Sequence, residues 1–129
     1  KIMIIPYLVF SGNCKEAMTF YADVLGGEII TMQTFEDAPV QVKASDNSRI
    51  FNSEVVAGTL RIKASDDLPD HEVTAGSNMS LYTIFPNKEL KATVFRRLAE
   101  EGQVLFPLDD NFGMLKDKYG VQWMMVDEK

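Results

Sequence analysis

Tyr7, Phe10, Ala17, Phe20 and Gly27 recur 75 positions later as Tyr82, Phe85, Ala92, Phe95 and Gly102. No other feature constrains the fold of this chain as strongly, because an internal repeat defines the unit from which a fold is built. The surroundings of the five identities match as well. In each copy an apolar, strand-like run leads to an asparagine (Asn13 or Asn87), an amphipathic helix, a glycine and a second apolar run. The 129 residues therefore read as one domain made of two small α+β modules, about 1–66 and 77–129, joined by a linker over 67–76.

Each element follows from local pattern. Ile2–Phe10 is rich in β-branched and aromatic residues and predicts a buried strand, which Pro6 pushes toward a sheet edge or a bulge. Asn13, with Glu16 three residues on, matches a capping box. Ala17, Phe20, Tyr21, Val24 and Leu25 then fall on one face of a helix that Gly26-Gly27 ends. Strands are predicted over Glu28–Phe35, Ile50–Val56 and Thr59–Ala64, the last two forming a hairpin through Ala57-Gly58. Asp66 to Ser77 carries Asp, Pro and Gly without periodicity and reads as connection. The second copy predicts a strand at Met79–Phe85, a helix at Asn87–Glu101 and a strand at Gln103–Pro107. A second hairpin pairs Gly113–Lys116 with Val121–Val126. If Gly58 and Gly120 mark equivalent turns, Ile62 and Met124 hold equivalent places. The order is βαβββ twice, with the helices on one face of each sheet and the other face left for a pocket or an interface.

Net charge excludes some functions. Nineteen acidic against thirteen basic residues leave −6, which argues against a nucleic-acid groove or an anionic membrane surface. No apolar run approaches the ~20 residues of a membrane span. The opening Lys1-Ile2-Met3-Ile4-Ile5 is too short for a signal peptide, and the single Cys14 suits a reducing compartment, so a cytoplasmic protein is expected.

Glu54 is the acid of greatest interest. A carboxylate inside an apolar strand is a candidate general base with its pKa raised by burial, and alternation puts Asn52 on the same face. Tyr7 and Tyr82 stand at equivalent repeat positions and would point their hydroxyls alike in both modules. Phe112, Trp123 and Met124, with Met114 and Met125, would line an apolar ligand site, and core packing is the competing reading. His71 lies between Asp70 and Glu72, but consecutive side chains diverge and rarely chelate one ion. Cys14 has no histidine near it in sequence to act as a base. Glu36-Asp37, Asp66-Asp67 and Asp109-Asp110 read as solvated surface, and Asn78-Met79-Ser80 as an incidental sequon. No phosphate-binding loop, nucleophile elbow or zinc spacing is present.

Pro6-Tyr7-Leu8-Val9-Phe10, Gly12-Asn13-Cys14-Lys15-Glu16-Ala17, Phe20-Tyr21 and Leu25-Gly26-Gly27 resemble the opening signature of the PhnB-like branch of the glyoxalase, bleomycin-resistance and dioxygenase superfamily, the vicinal oxygen chelate fold. Ala64-Ser65-Asp66 and the stretch Phe112 to Trp123 agree with it. Some members of the branch carry the label of a demethylubiquinone methyltransferase, yet this chain has no glycine-rich methyl-donor loop after a strand. The resemblance implies βαβββ modules whose sheets curl into a cleft, a homodimer, and a metal ligand on the first and last strand of each module. Carried onto this sequence, those positions are Pro6, Ser80 or Leu81, Ile62 and Met124, none of which suits Zn²⁺, Mn²⁺ or Fe²⁺. The neighbours Tyr7, Arg61, Lys63, Asn78, Tyr82 and Gln122 complete no ligand triad. The branch commonly has His where this chain has Asn52, which hydrogen-bonds without titrating near neutral pH.

The expected function is metal-free binding of a small apolar or amphipathic molecule, with no cofactor, in a homodimer. Two alternatives stay open: a lyase, isomerase or dioxygenase using Glu54 or a displaced metal site, and a structural dimer without a ligand.

Overall fold

Backbone pairing begins where Pro6 presents its carbonyl to the amide of Lys63, at 3.0 Å. The computed structural model describes residues 1–128, and in it β1 is Tyr7–Phe10 rather than the whole run from Ile2. β1 lies parallel to the fourth strand with Tyr7 opposite Lys63. Counting back in that register, Ile5 and Ile4 stand opposite Arg61 and Leu60, and only residues before Ile4 pass the start of β4 at Leu60. Ile2, Met3 and Ile4 are exposed.

Two units follow along the chain, Lys1–Val73 and the residues from Thr74 onward, and the division falls inside the predicted linker. The first contains β1, α1 (Cys14–Leu25), β2 (Glu28–Thr34), β3 (Ile50–Ala57) and β4 (Leu60–Asp66), with 3-10 turns at Phe35–Asp37 and Ala44–Asp46. Its sheet has the order β1-β4-β3-β2, parallel at β1/β4 and antiparallel elsewhere. The second contains β5 (Leu81–Phe85), α2 (Lys88–Ala99), β6 (Gln103–Phe106), β7 (Gly113–Lys116) and β8 (Gln122–Asp127). Its order, β5-β8-β7-β6, and its strand directions repeat the first. The fold is thus α+β, two βαβββ modules, each a four-stranded mixed sheet.

α1 buries Cys14, Ala17, Met18, Tyr21, Ala22 and Val24. Phe20 and Leu25, expected on that face, are half-buried, because the stripe rotates toward Cys14 and Met18. Gly26 takes a left-handed conformation (φ +67°) and closes the helix. The repeated glycines Gly27 and Gly102 have a different cause. A Cβ on either would run into the carbonyl oxygen of Val56 or Lys116, so only glycine lets the chain pass that close to its sheet.

The two helix starts differ. Asn87 caps α2, its Oδ1 accepting from Leu90 N at 2.8 Å. Asn13 makes no side-chain cap, and the expected capping box does not form. Asp66, at the end of β4, takes over: its Oδ1 accepts from Gly12 N and Cys14 N, and its Oδ2 from Ile50 N, each at 2.9 Å. In the second unit the equivalent residue is Asp127, which instead pairs with the buried Lys91 of α2.

Candidate functional site

Each sheet has one face packed on its own helix and one face free of it. In the first unit Ser53, Val55, Ile62, Ala64 and Asp66 are buried on the α1 side, where Cys14 Sγ lies 3.5 Å from Ser53 Oγ. Strand alternation therefore turns Asn52, Glu54, Arg61, Lys63 and Ser65 to the other face. Register aligns Tyr7, Lys63, Glu54 and Thr31 in one row across the sheet. The matching row of the second sheet is Tyr82, Met124, Met114 and Phe106.

These rows correct one equivalence drawn from the turn glycines. Opposite Tyr7 stands Lys63, and opposite Tyr82 stands Met124, so Lys63 is the counterpart of Met124. Ile62 corresponds to Trp123, and both are buried. Counting from Gly58 and Gly120 misses this because the second hairpin turn is one residue longer: Val56 pairs with Arg61, and Lys116 with Gln122.

Glu54 is only 6% exposed, and two cations cover it. Arg61 Nε and Nη2 both lie 2.6 Å from Oε2, and Lys63 Nζ lies 3.6 Å from Oε1. The hydrogen bond from Arg61 outweighs desolvation and holds the carboxyl below its ordinary value of 4.5. This reverses the expected rise: burial comes from the side chains of Arg61 and Lys63, and they stabilise the charged form. Glu54 is an ionised, paired acid rather than a base poised near neutral pH. Asn52 is half-buried on the same face, in register with Gln33. Tyr7 is exposed, and its hydroxyl donates to Ser65 Oγ at 2.8 Å.

The second sheet carries no charge in its row. Tyr82 is 62% and Phe106 57% exposed, and Met114 and Met124 between them are half-buried. Phe112 packs edge-on against Phe106 with ring centroids 6.0 Å apart. Trp123 is not part of this surface. It is 1% exposed on the α2 side, and its Nε1 donates to Asp117 Oδ2 at 2.9 Å. Alternation along β8 separates it from Met124.

The 3-demethylubiquinone-9 3-methyltransferase family matches residues 2–126. The chain belongs to this family. It is 33% identical to protein PA1353 of Pseudomonas aeruginosa, with 99% of this chain and 98% of that one covered and a TM-score of 0.90. The PhnB protein of Bacillus cereus is 29% identical, covering 98% and 100% of the two chains with a TM-score of 0.82. The fosfomycin resistance protein FosX of Mesorhizobium loti shares the fold alone: 5% identity, coverage of 100% and 93%, and a TM-score of 0.68. The PhnB-like assignment and its place among vicinal oxygen chelate folds are thereby shown.

The positions where the resemblance places metal ligands are poorly furnished for one. Pro6 spends its carbonyl on Lys63 N, and Ile62 is buried against the helix side. Ser80 Oγ accepts from Gln122 Nε2 at 3.2 Å, and Met124 offers a thioether. The residue in register at the β4 position, Lys63, is itself a cation. Among the described residues no three His, Cys, Asp or Glu side chains gather as a ligand set. His71 instead pairs with Asp67, Nδ1 to Oδ1 at 2.9 Å. Cys14 is fully buried, and desolvation pushes its thiol up to about 11.

Sequence reasoning missed the partners of Glu54 and the exposed Phe106. The Arg61-Ile62-Lys63 alternation beside Gly58 was the available signal, once the hairpin register was counted. The loop 37–48, whose conformation the sequence leaves open, borders a pocket of about 480 Å³ between residues 41–46 and 68–70. No helix of the described residues is long and apolar enough to cross a membrane.

Proposed function

We propose that the chain is a metal-free binding protein for a small apolar or amphipathic molecule, taken up on the helix-free sheet faces. The observation that carries this reading is the row Tyr82–Met124–Met114–Phe106. It sets an exposed phenol and an exposed phenyl ring at the ends of two half-buried thioethers. Thioethers repack around irregular ligands, and aromatic faces stack on them. Contiguous apolar surface on a folded chain marks an interaction site. The pairing of Glu54 with Arg61 and Lys63 weighs against acid–base catalysis there. The same reading takes the chain as a homodimer, which sedimentation equilibrium checks.

The test uses chain labelled with ¹³C at the methionine methyl groups and titrated with 1-hexanol and with hexanoate. Saturable shifts of the Met114 and Met124 signals, abolished by Met124→Glu, are expected. Unmoved methyl signals with both compounds would sink the reading. Elemental analysis after incubation with Zn²⁺, Mn²⁺ or Fe²⁺ and desalting should give well below one ion per chain; a stoichiometric ion would overturn the metal-free part.

A further inference from the structure

We propose that the helix-free face of the first sheet holds the monoanionic carboxylate of a small organic acid between Arg61 and Lys63. This rests on the small-molecule reading above and names the class of molecule. β4 projects Arg61, Lys63 and Ser65 to that face at the two-residue period of a strand, about 7 Å from one to the next.

Both cations share one acid. Arg61 engages Glu54 closely, but Lys63 stands 3.6 Å off, long for a hydrogen bond, so its ammonium keeps donors for another acceptor. The side chains of Arg61 and Lys63 are 40% and 32% exposed, so both reach solvent. Ser65 accepts the proton of Tyr7 and keeps its own O–H to donate. Two cations against Glu54 leave one positive charge, on a chain whose total is −6. Glu28 is the other acid on this face, reached from Arg61 through Val56. It stands two strand spacings away, roughly 10 Å, where salt screens it. One uncompensated positive charge matches one carboxylate, and a dianion would overfill it.

The fold does not require these charges. The second unit builds the same sheet with Met124 in place of Lys63 and Met114 in place of Glu54. Ion pairs whose cations stay partly exposed, as Arg61 and Lys63 do, also add little to stability. A cationic row kept on an open face is therefore explained by an anion that visits it.

The experiment is a ¹H–¹⁵N titration with hexanoate and with 1-hexanol at fixed ionic strength, followed at Arg61 to Ser65. Hexanoate should shift these amides saturably, and 1-hexanol should leave them in place. Lys63→Met, which keeps Arg61 on Glu54 and copies the second unit, should weaken hexanoate at least roughly fivefold, the effect of one charge-assisted contact. Lys15→Met removes an equal charge from the exposed side of α1 and should change nothing. Equal affinity for hexanoate and 1-hexanol at these amides, or unweakened hexanoate binding by a folded Lys63→Met, overturns the proposal. Shifts confined to Met114 and Met124 overturn it too but leave the small-molecule reading standing. No shift on either sheet overturns both.

Discussion

Asp66 Oδ1 accepts the amide proton of Cys14 at 2.9 Å, so α1 is capped by a residue 52 positions downstream rather than by its own Asn13. The same carboxylate holds Gly12 N and Ile50 N, tying the start of the helix, the start of β3 and the end of β4 to one buried group. In the second unit Asn87 caps its helix unaided, and Asp127 pairs with Lys91 instead. One position in the repeat thus serves two different structural ends.

Asp66→Ala leaves three amides without their acceptor, those of Cys14 and Ile50 buried and that of Gly12 part-buried. At about 1 kcal/mol or more for each lost bond, a loss of about 3 kcal/mol is expected. Urea denaturation of the first unit's signals measures it, and a loss within error of zero would show that water replaces the carboxylate.

Glu54→Gln tests the pairing with Arg61 and Lys63. The carboxyl of Glu54 is held below 4.5 in the folded chain, chiefly by the Arg61 hydrogen bond. Its contribution is therefore complete above that ordinary value and is lost as pH falls through the lower folded value. The stability gap between wild type and variant should narrow on acidification below pH 4.5 and stay constant above it.

His71 is the single histidine, so its ring protons report one titration. The hydrogen bond to Asp67 raises it above 6.5 and lowers Asp67 below 3.8. For His71 the stabilisation is present below 6.5 and lost as pH rises through the folded value; for Asp67 it is lost as pH falls through its own. The pair is worth most between the two. Asp67→Asn should return the His71 midpoint toward 6.5, followed by NMR.

Cys14 should resist thiol reagents. Burial under α1 raises its pKa to about 11, so little thiolate exists at pH 8. Reaction with a chromogenic disulfide should require unfolding, and prompt labelling of the native chain would contradict the burial.

Trp123 should emit at short wavelength in the native state, as a buried indole does, and its emission should be insensitive to hexanoate. It faces α2 and Asp117, with Met124 on the opposite side of β8. A red-shifted native spectrum would place it on the ligand face instead.

The sequence by itself determined the repeat and the order of elements, because both are written in local spacing. The period of Ala17, Tyr21 and Val24 specifies a buried helix face, and Gly27 and Gly102 recur because the strand beside them leaves no room for a Cβ. The resemblance carried by Pro6 to Gly27, with Ala64 to Asp66 and Phe112 to Trp123, was enough to name the family. Tertiary structure alone decided which residues meet. Asp66 sits beside Asp67 in a stretch that reads as solvated surface, yet strand pairing buries it under the start of α1. Lys63 matches Met124 because hairpin register sets it opposite Tyr7 on one side and Glu54 on the other, and the same hairpin brings Arg61, the chief partner of Glu54, onto that carboxylate. A one-residue difference in turn length moves every side chain to the other face, and propensity does not encode that difference.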